Sequence, residues 1–107
     1  MQIDIDGAVA TLTMNRPDKR NAMNDQLLGE IDAFFAKPPK GVRVAILVGS
    51  GGHYCAGLDL SEHQARDAEG TLHHSRGWQA VMDRIQLSGL PVVSALFGAV
   101  IGGGLEL

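Results

Sequence analysis

Two short runs at the start of the chain have strand-like lengths and apolar content. Gln2–Ile5 and Val9–Met14 flank Asp6-Gly7, a dipeptide suited to a tight turn, and so read as a hairpin. Asn15-Arg16-Pro17-Asp18 breaks the pattern. Apolar residues then recur at Met23, Leu27, Leu28, Ile31, Phe34 and Phe35, one stripe of a helix that Asn21 or Asn24 can cap and Pro38-Pro39 closes. Val42–Val48 is an almost continuous, β-branched run, the pattern of a strand buried on both faces, and Gly49-Ser50-Gly51-Gly52 forces a loop after it. Ser61 with Gln64 resembles the capping box of a short helix. The polar stretch Asp67–Thr71 reads as a mobile connection. Trp78, Val81, Met82 and Ile85, at i, i+3, i+4 and i+7, predict a further helix with Gly89 at its C-cap and Pro91 beyond. Pro91–Leu96 reads as another buried strand, Gly98–Gly104 as a turn, and one more helix opens at Gly102–Gly104.

The order β, β, α, β, α, α, β and the start of a helix is an α/β layout. Leu105-Glu106-Leu107 amounts to about one turn. A helix that short is not stable alone, because nucleation costs more than one hydrogen bond returns. The expectation is therefore that residues 1–107 are the N-terminal part of a single domain, truncated within a helix.

Composition narrows the function classes. At 107 residues, 45% hydrophobic and 20% charged, the chain has room for one small domain of globular type. A net charge of −3 with scattered Lys and Arg gives no footprint for nucleic acid or an anionic membrane surface. The first residues lack the basic flank and apolar core of a signal peptide, and the apolar stretch near Leu90–Ile101 is too short and interrupted to span a bilayer. A cytoplasmic location is the default expectation. Cys55 is the only cysteine, so an internal disulfide and a cysteine-based metal site are both excluded.

Two of the glycine-rich segments follow strand-like runs: Gly49–Leu60 and Gly98–Leu107. Strand, glycine loop and helix start is the arrangement that aims unpaired backbone N–H groups at a ligand. Two such loops on neighbouring strands could supply two donors to one oxygen, which is an oxyanion hole. Neither loop matches a phosphate-binding glycine pattern, and no Lys follows the glycines. Tight turns alone are the competing explanation of these glycines. Glu106, between Leu105 and Leu107, suits acid–base work with a raised pKa. Its competing explanation is a solvent-facing glutamate on an early helical turn, favoured by the helix dipole. Cys55 has no identifiable base beside it and reads as a small buried hydrophobe. His53, His73 and His74 fit no metal-ligand spacing and read as loop histidines. Trp78 belongs to a helical stripe and reads as core.

The motifs together resemble those of the enoyl-CoA hydratase/isomerase (crotonase) family. Asn15-Arg16-Pro17 with Asn21-Ala22-Met23 is similar to its N-terminal signature. Tyr54-Cys55-Ala56-Gly57-Leu58-Asp59-Leu60 is similar to its first oxyanion-hole segment, and Pro91–Ala95 with Gly98 and Gly102–Leu107 to its second. The resemblance covers nearly the whole chain. It implies a crotonase-like spiral of ββα units, assembled as a homotrimer or hexamer, with an acyl-CoA thioester as the partner molecule. Leu58 and Gly103 would each give a backbone N–H to the thioester carbonyl, and Glu106 would be one of two catalytic carboxylates, the second lying beyond residue 107. Arg20, Ala22, Ala56, Asp59 and Leu60 would line the CoA path. Trp78 or His74 could also line the acyl pocket. The implied activity is that of a lyase of fatty acid metabolism, an enoyl-CoA hydratase, with no cofactor because CoA belongs to the substrate. Isomerisation, CoA-ester hydrolysis, or acyl-CoA binding without catalysis are the alternatives. The 107-residue chain alone is expected to be inactive.

Losing one oxyanion donor typically costs about 3–4 kcal/mol of barrier, so the two N–H positions carry the largest expected effect.

Overall fold

Strand β1 (Gln2–Asp6) turns at Gly7, where φ is +59°, and pairs antiparallel with β2 (Val9–Met14) in the register Gln2↔Thr13 to Asp6↔Val9. The hairpin is the one that Asp6-Gly7 predicts. The computed structural model describes residues 1–63 and 68–107. Strand β3 (Val44–Gly49) runs parallel to β2, from Val9↔Val44 to Met14↔Gly49, and β4 (Val92–Ser94) runs parallel to β3. The sheet order is β1-β2-β3-β4.

Helix α1 (Asp25–Ala36) connects β2 to β3 and, among the described residues, supplies more of the core than any other element. Asn24, not Asn21, is its N-cap: the Asn24 side-chain oxygen accepts a 2.9 Å hydrogen bond from the Leu27 N–H. The helix buries Leu27, Leu28, Ile31, Phe34 and Phe35. These cluster with Ala10, Leu12 and Met14 of β2 and with Ala45 and Leu47 of β3. Each fully buried side chain of this size contributes about 1.5–3 kcal/mol. The cap adds about 1 kcal/mol. Burial of the stripe therefore holds α1, and the cap sets where it starts. Met23, which shares the stripe in sequence, lies outside the helix and bridges to Leu58.

Helix α2 (Leu60–His63) is one turn long. Its capping differs from the Ser61–Gln64 box that the sequence suggests. Gln64 lies outside the described residues, and Asp59 Oδ1 accepts from both the Ser61 N–H (3.1 Å) and the Ser61 hydroxyl (2.6 Å). Helix α3 (Ala68–Leu87) packs on α1. Ala68–Thr71, expected as a mobile connection, is its first turn; Asp67 lies outside the described residues. Gly89, at φ +75°, turns the chain out after α3 as expected. Helix α4 (Gly103–Glu106) opens at the glycine triplet.

Two strands differ from their expected burial. In β3 buried residues alternate with partly buried ones, and in β4 Val93 is 56% exposed. A continuous apolar run shows that both faces can be buried. Actual burial needs an element covering the second face, and among the described residues that face is only partly covered. None of the helices among the described residues is long and apolar enough to cross a membrane.

Asn24→Ala is expected to lower the unfolding free energy by about 1 kcal/mol, and Asn24→Ser to leave it nearly unchanged, because serine keeps an acceptor for the Leu27 N–H. Equilibrium urea unfolding of the two variants checks this.

Candidate active site

The site is built from three segments that leave the sheet at one end. Arg20 and Asn21 follow the 3₁₀ turn Pro17–Lys19 in consecutive left-handed conformations, with φ +50° and +57°. Asparagine is among the residues that tolerate this region. Asn21 is fully buried, and its amide is saturated. Nδ2 donates to the carbonyls of Ser50 (2.9 Å) and His53 (2.8 Å), and Oδ1 accepts from the Arg16 N–H (2.9 Å). Arg16 in turn donates from Nη1 to the Ala22 carbonyl and from Nη2 to Asp59 Oδ2 at 3.0 Å. The Ser61 hydroxyl, first, and the Arg16 guanidinium hold the Asp59 carboxyl below its usual range.

Residues 54–59 are clamped on both sides. Tyr54 and Cys55 donate their N–H groups to Phe97 and Ala99, and Ile101 donates to Cys55. On the other side Ala56 donates to Arg20, Met23 to Gly57, and Asp59 to Met23. The Met23↔Leu58 parallel bridge uses the Gly57 carbonyl and the Asp59 N–H, which leaves the Leu58 N–H pointing away from Met23. Among the described residues, neither the Leu58 nor the Gly103 N–H has a hydrogen-bond acceptor.

The two glycine segments meet at Gly57, which has φ +97°. A Cβ there would stand 2.7 Å from the Ile101 carbonyl oxygen and 3.3 Å from the Gly103 nitrogen. Gly103 itself abuts Trp78: a Cβ would overlap the indole at Cζ2 and Cη2. Glycine is thus required at 103 by the indole, a reason that the spacing of the motif does not reveal. Leu58, Gly103 and Glu106 line one cavity of about 330 Å³, whose far wall is Thr71, His74, Ser75 and Trp78 of α3.

The Glu106 side chain is exposed, and it also borders a second hollow with Met82, Gln86 and Leu107. The apolar setting expected from its neighbours is half realised, since Leu105 is 68% exposed while Leu107 packs on the core. Of the five residues assigned to the CoA path, Ala56 and Asp59 lie in the clamped segment, Arg20 and Ala22 in its Arg20–Met23 neighbour, and Leu60 opens α2; all five lie outside the lining of the cavity. Arg20 and Leu60 are exposed, Ala22 and Ala56 are partly buried, and the Asp59 carboxylate is committed to Arg16 and Ser61.

The histidines separate. His53 Nδ1 accepts the Ala99 N–H, His73 lies near Glu69, and His74 Nε2 is 2.9 Å from Asp25 Oδ1. His73 and His74 are helical, not loop residues. Burial raises the Cys55 thiol pKa, in keeping with a packed hydrophobe, and Sγ donates to the Asn21 carbonyl. Trp78 is partly buried: it packs against the core and also faces the cavity. Thr71 and Ser75 were not expected at the site. Their signal was helical spacing from Trp78, masked because they are polar.

The family model for enoyl-CoA hydratase/isomerase matches residues 4–107. A Mycobacterium bovis protein named "probable enoyl-CoA hydratase" is 38% identical over 101 residues, which cover 94% of this chain and 40% of that protein. The 2,3-dehydroadipyl-CoA hydratase of Escherichia coli is 34% identical over 103 residues, covering 92% of this chain and 39% of that one. A crystal structure of a Rhodopseudomonas palustris protein assigned as an enoyl-CoA hydratase superposes with a TM-score of 0.92 at 47% identity, over 97% of this chain and 40% of that one. The chain spans about 40% of the length of these relatives.

Two outcomes follow from the geometry. A carboxyl whose folded pKa is lowered stabilises above its unfolded pKa, and that stability is lost as pH falls through the folded value. Asp59→Asn should therefore cost about 1–3 kcal/mol near pH 7. The gap to wild type should close as pH falls below about 4, which urea unfolding at several pH values reads directly. Gly103→Ala should destabilise by about 1–3 kcal/mol through overpacking against the indole. Trp78→Leu in the same molecule should cancel part of that loss, measured as a double-mutant cycle.

Proposed function

The chain belongs to the enoyl-CoA hydratase/isomerase family, and on that premise we propose that it supplies the oxyanion hole and one acid–base carboxylate of an enzyme that adds water to a 2-enoyl-CoA. The thioester carbonyl sits between the Leu58 and Gly103 N–H groups. When the oxygen of water bonds to the β-carbon, electron density moves to the thioester oxygen as an enolate, and the two donors stabilise that charge where it develops. Glu106 handles one of the two proton transfers, either from water or to the α-carbon as the enolate collapses. A second carboxylate, from residues outside this chain, handles the other. CoA enters as part of the substrate, along Arg20, Ala22, Ala56, Asp59 and Leu60. Trimeric or hexameric assembly and a cytoplasmic location belong to the same proposal.

The observation that carries this reading is the single cavity lined by Leu58, Gly103 and Glu106, with both backbone donors lacking an acceptor among the described residues. Turn-forming glycines alone give no reason for two N–H groups without a protein acceptor to line one cavity with a carboxylate.

In the whole protein, Glu106→Gln should lower kcat for 2-enoyl-CoA hydration by about 10² or more, with substrate affinity kept within a few-fold. Leu58→Ala should cost less than Gly103→Val, because Leu58 acts through its backbone. Loss of the enoyl-thioester absorbance and product identification are the measurements. Near-normal turnover of Glu106→Gln removes Glu106 from the chemistry, and double-bond migration without hydration assigns the protein to isomerisation.

A further inference from the structure

Thr71, His74, Ser75 and Trp78 stand at i, i+3, i+4 and i+7 of α3 and so form one stripe. All four face the cavity that holds Leu58, Gly103 and Glu106. Three of the four are polar, while the contacts of α3 with the core come from Trp78, Val81, Met82 and Ile85. The polar residues therefore line the cavity without a packing role in the core.

The stripe has a fixed origin at the reacting end, because the Trp78 indole lies directly against Gly103. His74 and Ser75 come about one helical turn, or about 5.4 Å, further from that point, and Thr71 another turn beyond. The His74 ring centroid is 6.4 Å from that of Trp78. His74 is also anchored: its side chain is 14% exposed, and Nε2 lies 2.9 Å from Asp25 Oδ1 on the first turn of α1. A ring tied to a second helix keeps its place on the cavity wall.

We propose that Thr71, His74 and Ser75 read the distal end of the acyl group, so that the preferred substrates are short 2-enoyl-CoA thioesters with an oxygen function, hydroxyl or carboxylate, a few atoms beyond the double bond. The inference rests on the hydration reading, since a thioester carbonyl at Gly103 sets the origin of the distance. A plain alkyl tail along this path strips water from polar side chains and returns no hydrogen bond to them. A tail with an oxygen one turn from the carbonyl exchanges those hydrogen bonds, and the indole covers the apolar carbons between. Sites that hydrogen-bond a substrate group reject the analogue lacking it far more strongly than apolar pockets reject a methylene.

The test compares kcat/KM of the whole protein for a straight-chain 2-enoyl-CoA and for counterparts of equal length ending in a hydroxyl or a carboxylate. At least one oxygen-bearing substrate should be favoured by about 10-fold or more, and the two arms separate a neutral from an anionic preference. His74→Leu should erase that preference by lowering kcat/KM for the favoured substrate, mainly through KM. Thr71→Val should reduce the preference in the same direction and covers the case in which loss of the His74–Asp25 contact unfolds the protein. Equal or faster hydration of the alkyl substrate by wild type overturns the inference and leaves the hydration reading standing. Failure to hydrate any of the three overturns both.

Discussion

The Asn21 side chain is wholly buried, and its amide reaches three backbone positions in two loops: Arg16 after β2, and Ser50 and His53 at the two ends of the turn after β3. A buried amide group left without a partner costs about 1–3 kcal/mol. Movement of either loop would leave such a group, so the two are held at one level relative to each other. The register Met14↔Gly49 ends β2 and β3 side by side, and the amide sits between the two exits. Gly49 has no side chain because a Cβ would run into the His53 and Tyr54 carbonyls and stand 2.7 Å from Asn21 Nδ2.

The geometry of the cavity follows from that junction. With His53 held, residues 54–59 run between Arg20–Met23 and Phe97–Ile101 and bond to both. A backbone fixed on two sides presents its remaining N–H groups without reorganisation, which is what electrostatic stabilisation of a developing charge requires. Arg16 ties the same junction to Asp59, and Asp59 caps α2. The salt bridge lies in the positioning machinery, so its energetic importance comes from what its loss would unpair and not from its own strength.

Elements that bury one face were legible in the sequence. The stripe of α1 follows directly from its period, and the hairpin from the turn chemistry of Asp6-Gly7 between two apolar runs. The glycine segments were legible as a pair, and the structure brings Leu58, Gly103 and Glu106 to one cavity. Other features depend on partners remote in sequence. Asn21 and Asn24 are equally good caps by composition, and only the approach of Ser50 and His53 decides that Asn21 becomes a junction while Asn24 caps. The first turn of α3 has little apolar content, so periodicity could not separate it from a loop. The run Val42–Val48 shows what could be buried, but whether the second face of β3 is covered depends on other elements. The motif marks Gly103 only as a backbone donor; its contact with Trp78 is a tertiary fact no spacing encodes.

That contact divides the cavity wall into two kinds of position. Trp78 touches Gly103, so any change of its size moves the surroundings of an N–H that the proposed chemistry needs, and contacting residues are not independent. Under the proposed chemistry, an acyl group that required more room beside the indole would therefore cost oxyanion geometry as well as packing. His74, Ser75 and Thr71 are one and two turns further along the helix, where side chains can differ without displacing Gly103. If the proposed reading holds, substrate choice changes at these three positions with little effect on the reacting end. His74 is the most constrained of them, because its ring also joins α3 to Asp25 at the start of α1. Ser75 and Thr71 carry no such inter-helix bond among the described hydrogen bonds, so they are the positions at which the proposed tail preference would shift at the lowest structural cost.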